Sequence, residues 1–113
     1  MPTVSGTTIS TAWTPTNLGS SVTVSGLDPS ATYLVLATTD YTEGKGEFRL
    51  QASGATTVET QNYNMTGLLE SLSYQLQNVK ANSSGAVVFQ RRYSGETGPV
   101  RCGIIYITIL RTA

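Results

Sequence analysis

A chain of 113 residues with 12% charged side chains and no net charge can bury about 60–70% of its unfolded surface around one core. The balance of seven basic against seven acidic residues excludes the cationic surplus that phosphate contacts need, so no nucleic-acid partner is expected. The absence of His and the single Cys102 remove the commonest general base, a zinc cluster and an internal disulfide.

In chain order, MPTVSGTTIS carries neither a basic nor an apolar run, and no later stretch approaches ~18 apolar residues, so no targeting signal and no membrane partner are expected. Residues 1–14 read as an extended segment ahead of a single domain over 15–113. Gly19, Gly26 with Pro29, Gly44 with Gly46, Gly54, Gly67, Gly85, and Gly95 with Gly98 and Pro99 punctuate segments rich in Val, Ile, Tyr, Phe and Thr. That pattern predicts strands near 3–12, 20–25, 31–39, 46–53, 56–62, 70–79, 85–93 and 100–111. In GLLESLSYQLQNV, Leu68, Leu72 and Leu76 recur every fourth residue and suit a helix. Leu72, Tyr74 and Leu76 also alternate with Ser73, Gln75 and Gln77, and the strand reading is preferred. About eight antiparallel strands in a chain of this size predict an all-β fold, an antiparallel β-sandwich of jelly-roll type.

Two segments do not alternate as half-buried strands should. In ATYLVLATT, Tyr33, Val35 and Ala37 line one face and Leu34 and Leu36 the other. In VRCGIIYITILR, Ile104, Tyr106 and Leu110 oppose Ile105, Ile107 and Ile109. Leaving those three Ile in water would forgo roughly 5–9 kcal/mol, comparable to the whole stability of a domain, about 5–15 kcal/mol. The expectation is an oligomer interface at Leu34, Leu36, Ile105, Ile107 and Ile109, with Arg101 and Arg111 at its rim. Ile104, Tyr106 and Leu110 then face the protomer core. A loop or the N-terminal segment folded over the same face is the alternative.

Catalysis finds little support, and no cofactor or metal is expected. Asp40, Glu43 and Glu47 in DYTEGKGE lack the density of a calcium loop and read as a solvated hairpin. Cys102, in an apolar strand with no His to activate it, reads as a buried small hydrophobe. In FQRRYSGETGPVR, Arg91, Arg92, Tyr93 and Arg101 gather around a Gly-rich turn. Tyr and Arg contribute most per contact at interfaces, which makes this a candidate partner-binding loop. The alternative is an ordinary hairpin whose Arg residues pair with Glu96 and solvent.

VSGLDPSATYLVLATT resembles the part of fibronectin type III domains in which a Gly-Leu-x-Pro turn leads to a Tyr that closes a corner; Gly26, Leu27, Pro29 and Tyr33 match. Over most of its length the chain is similar in style to small jelly-roll virion proteins of tailed bacteriophages. The likeness lies in Ser and Thr at about a quarter of the residues, low charge, no His and the ending RCGIIYITILRTA. That resemblance implies a homotrimer, and specifically a capsid decoration, or cement, protein made in the host cytoplasm and located in the virion. Its partners would be itself and the major capsid protein. A receptor- or glycan-binding head of a tail fibre, or a fibronectin-like adhesion module, is the alternative function.

Overall fold

The computed structural model describes residues 9–13, 21–39, 42–60, 63–66, 71–95, 101–102 and 104–113, with the backbone alone at 9–13, 95 and 101–102. The strands are β1 Ile9–Trp13, β2 Ser21–Val24, β3 Tyr33–Thr39, β4 Thr42–Glu43, β5 Lys45–Ser53, β6 Thr57–Glu59, β7 Tyr63–Thr66, β8 Ser73–Val79, β9 Val87–Gly95, β10 Arg101–Cys102 and β11 Ile105–Arg111. The ambiguous stretch after Gly67 is a strand from Ser73 onward; Leu68 and Glu70 lie outside the described residues. Of the N-terminal segment, Ile9–Trp13 is the edge strand of a sheet, paired antiparallel with β11. The rest of that segment lies outside the described residues.

One sheet runs β1-β11-β3-β8 and the other β2-β9-β5, with β6 and β7 end to end along the far edge of β5. The short bridge β4–β10 ties the two crossovers between the sheets, setting Glu43 opposite Arg101 and Thr42 opposite Cys102. Setting that bridge aside and counting β6 with β7 as one strand gives eight strands in orders 1-8-3-6 and 2-7-4-5. Strands 1 and 8, 2 and 7, 3 and 6, and 4 and 5 are each hydrogen-bonded antiparallel pairs. The chain is thus one long antiparallel ribbon, folded at 4–5 and wrapped so that successive pairs alternate between sheets: the jelly roll expected from the sequence.

Strand alternation builds the core from both sheets. Val35, Ala37, Leu76, Ile105, Ile107 and Ile109 of the first sheet meet Phe48, Leu50, Ala52, Val87 and Phe89 of the second, all at most 2% exposed. A bulge in β8 keeps this alternation going past its natural break. Tyr33 pairs with Val79 and Val35 with Leu76, so β8 carries one extra residue there. Asn78 absorbs it at φ 57°, a left-handed conformation that Asn tolerates better than most residues, and Leu76 and Val79 both reach the core.

The connection 25–32 contains the corner seen in the sequence. Gly26 turns with φ 80°, and the Tyr33 hydroxyl accepts a hydrogen bond from the Asp28 N–H at 2.9 Å, closing the turn onto the start of β3. The Asp28 carboxylate accepts from the Ser30 N–H and hydroxyl at 2.9 and 2.7 Å, and these bonds hold its pKa below the usual carboxylate range. This corner occurs without the immunoglobulin-type allotment of strands, ABED over CFG. Leu27 N–H in turn bonds the Gly85 carbonyl at 3.0 Å. A Cβ at Gly85 would stand 2.4 Å from the Leu27 carbonyl oxygen, so only glycine fits, and its φ of 76° agrees.

Candidate functional site

The register of β11 on β3 settles which face of each strand looks outward. Directly opposed residues share a face, and Ile105, Ile107 and Ile109 stand opposite Thr39, Ala37 and Val35. All three Ile are buried at 0–1% exposure inside the protomer. They are core residues and not the subunit contact expected of them. Ile104, Tyr106 and Leu110, expected in the core, are instead half-buried or, for Tyr106, 46% exposed. The charged strand ends explain the inversion. Arg111 shares the parity of the three Ile, yet it lies past the edge of the core, where its Nη1 is 3.2 Å from Asp28 Oδ2. A charge at a strand end reports where the core stops and says nothing about which face is wet.

Leu34 and Leu36 do point outward as expected. Leu36 is 39% exposed and Leu34 half-buried. Leu34 stands opposite Leu110, Leu36 opposite Thr108, and Thr38 opposite Tyr106. Register continues the surface across β1, where Ser10 is opposite Thr108 and Ala12 opposite Tyr106. On β8 the exposed Ser73 and Gln75 face Thr38 and Leu36. These positions form a sheet face with an apolar stripe, Leu34, Leu36, Tyr106 and Leu110, and among the described residues its strand positions carry no charge.

The proposed loop cluster is split by burial. Arg91 is 0% exposed and belongs to the interior, so its assignment to a partner-binding loop is corrected. β9 alternates at that point, and Arg91 occupies the inward position two residues after Phe89. Its guanidinium lies 4.6 Å from the Phe48 ring centroid, and Nη2 donates to Thr42 Oγ1 at 2.8 Å. Thr42 is 3.4 Å from Thr39 Oγ1, which accepts the Leu72 N–H at 2.9 Å. Arg92 is exposed. Tyr93 is half-buried, its ring 4.7 Å from Phe48 and its hydroxyl bonded to the Lys45 carbonyl, so it is packed and not presented. The side chains of Arg101 and Cys102, like Asp40 and Glu96, lie outside the described residues.

Burial lowers the pKa of Arg91, and the neighbouring Tyr74 opposes that shift. A guanidinium nonetheless stays charged. Burial pushes the Tyr74 phenol up to about 12, against the lowering pull of the Arg91 charge. An unfolded Tyr ionises near pH 10. Above that pH the unfolded chain loses its proton while the folded one keeps it, so stability falls as pH rises from about 10 to about 12, by roughly 2–3 kcal/mol in total. Urea unfolding followed across this range should show the loss in the parent protein and a correspondingly smaller one in Tyr74→Phe.

Among the described residues no three His, Cys, Asp or Glu side chains come together as a metal site. Comparison with protein-family models, curated proteins and solved structures finds no match to this chain.

Proposed function

We propose that this chain is a self-assembling structural module, and specifically a homotrimeric decoration protein of a tailed-bacteriophage head. A jelly roll hosts many activities, so the fold alone carries little weight. The observation that carries the proposal is the charge-free outer face of the first sheet, with Leu34, Leu36, Tyr106 and Leu110 unburied in the protomer. An uncharged face complements itself without electrostatic cost, and a second copy of the chain is its simplest partner. The virion setting rests on the similarity in style to small phage jelly-roll proteins and on the use of this fold in viral capsids. In that role the trimer works mechanically: engaging several capsid subunits at once raises effective concentration, so modest contacts per subunit suffice.

Light scattering on the purified protein tests the assembly, with a trimer expected at micromolar concentration. Leu36→Asp combined with Tyr106→Glu should weaken association about a hundredfold or more, since each buried apolar side chain contributes roughly 1.5–3 kcal/mol. Both positions are exposed in the protomer, so the variant should remain folded. A parent protein that stays monomeric would refute the trimer.

A further inference from the structure

On the lateral side of the sandwich, β8 of the first sheet faces the β6–β7 edge of the second. A groove of ≈540 Å³ runs along it, lined by Val58, Glu59 and Thr60, by Tyr63, and by Gln75 and Gln77 of β8. Its size lies within the roughly 300–1,000 Å³ of small-molecule pockets. Tyr63 and Gln75 also line a smaller hollow of ≈390 Å³ that includes Leu36 and Thr38.

Tyr63 is fixed from two sides. Its ring meets Tyr74 edge-on with centroids 5.2 Å apart, and its hydroxyl donates to the Ser73 carbonyl. It is still 36% exposed, so it offers a pre-ordered aromatic surface with little rotamer entropy left to lose. Gln75 and Gln77 are both exposed on β8, and each amide supplies donors and acceptors together. Glu59 adds a carboxylate acceptor, with Arg49 Nη1 at 3.9 Å from its Oε1. Thr60 Oγ1 accepts the Leu50 N–H at 3.0 Å, which anchors that wall.

Among the described residues that line it the groove has one acid and no cation, which disfavours an anionic ligand. Both neighbouring edges are also ill-suited to an added strand. The Asn78 bulge interrupts β8, and β6 ends at Glu59 while β7 begins at Tyr63. Interruptions of this kind block pairing with an extended peptide. An aromatic plate flanked by amides, a hydroxyl and a carboxylate matches instead a ligand with an apolar ring face and equatorial hydroxyl groups. We propose that this groove binds a neutral glycan segment, one sugar ring lying against Tyr63 and its neighbour's hydroxyls bridged by Gln75, Gln77 and Glu59. The groove adjoins the assembly face at Gln75 and Tyr63, and the proposal does not rest on the trimer.

The test is ¹⁵N NMR titration of the full chain with maltohexaose, cellohexaose, mannohexaose and chitohexaose. Heparin fragments and a neutral extended peptide serve as competing ligand classes. Saturable shifts are expected with at least one neutral oligosaccharide, centred on Tyr63 and on the side-chain amides of Gln75 and Gln77. Tyr63→Ala should weaken that binding about tenfold or more. Because Tyr63 also packs on Tyr74, Gln77→Ala provides a second variant at an exposed position, with binding weakened and melting unchanged. Absence of saturable shifts with all four oligosaccharides, binding untouched by both substitutions, or preferential binding of heparin or of the peptide would each overturn the proposal.

Discussion

Ile107→Asp is expected to leave no folded protein, whether monomer or assembly. Ile107 is fully buried, opposite Ala37 on β3, in a layer shared with Ile105 and Ile109. The substitution removes about 1.5–3 kcal/mol of apolar burial. It also places a carboxylate where it must either remain charged at several kcal/mol or take up a proton against its ordinary pKa. Together these costs rival the roughly 5–15 kcal/mol that hold a domain folded. A graded series makes the point quantitative: Ile107→Val should cost about 0.5–1.5 kcal/mol and Ile107→Ala about 2–5 kcal/mol in urea unfolding. The contrast with Leu36→Asp is the decisive comparison. The outward substitution should change mass and spare the fold, while the inward one abolishes the fold outright. A folded Ile107→Asp protein with altered mass would return these Ile to the subunit contact.

Arg91→Ala is expected to be the costliest substitution of a charged residue among the described positions, at about 2–5 kcal/mol. The side chain is the largest fully buried one among the described residues, and its guanidinium reaches from the Phe48 ring to Thr42 at the start of the bridge. Truncation opens a cavity, removes one of the two partners of the Thr42 hydroxyl and takes the cation from the Phe48 ring. Arg91→Met keeps most of the volume and drops the charge, so it should recover a substantial part of that loss. Arg91→Lys keeps the charge and loses the planar stacking, and should fall between the two. Equal midpoints for Arg91→Ala and the parent would place Arg91 outside the core.

The fold was legible because turn residues and β-rich segments mark strand boundaries locally. Gly26, Gly54 and Gly85 stand in connections where the sequence set them, and the Tyr33 corner forms from residues only five apart. Which face of β11 is buried was not legible, because Ile104, Tyr106 and Leu110 are as apolar as the three Ile beside them. That choice is made by pairing with β3, some 70 residues earlier in the chain. The feature that could have decided it locally is the hydroxyl content of the outward row, Tyr106 and Thr108, against three β-branched hydrocarbons in the other. Arg91 was misread for a related reason: a cation inside a core is exceptional, and its place depends on Phe48 and Thr42, which no local pattern connects to it. The groove around Tyr63 joins β6, β7 and β8 through tertiary packing, and no spacing in the sequence announces it.

The position of β11 between β1 and β3 has a consequence for how the protein comes into being. The ribosome makes this strand after the other described strands, yet the first sheet is built around it. Until it emerges, β1 has no neighbour, and β3 offers one unsatisfied edge together with the apolar row of Val35 and Ala37. The fold at 4–5 can form early from strands close in sequence, but the sandwich cannot shut until synthesis reaches Arg111. Folding of this ribbon therefore completes only once β11 is available. It falls among the slower single domains, on the order of milliseconds to seconds, and a nascent chain stalled before β11 is a sticky half-shell.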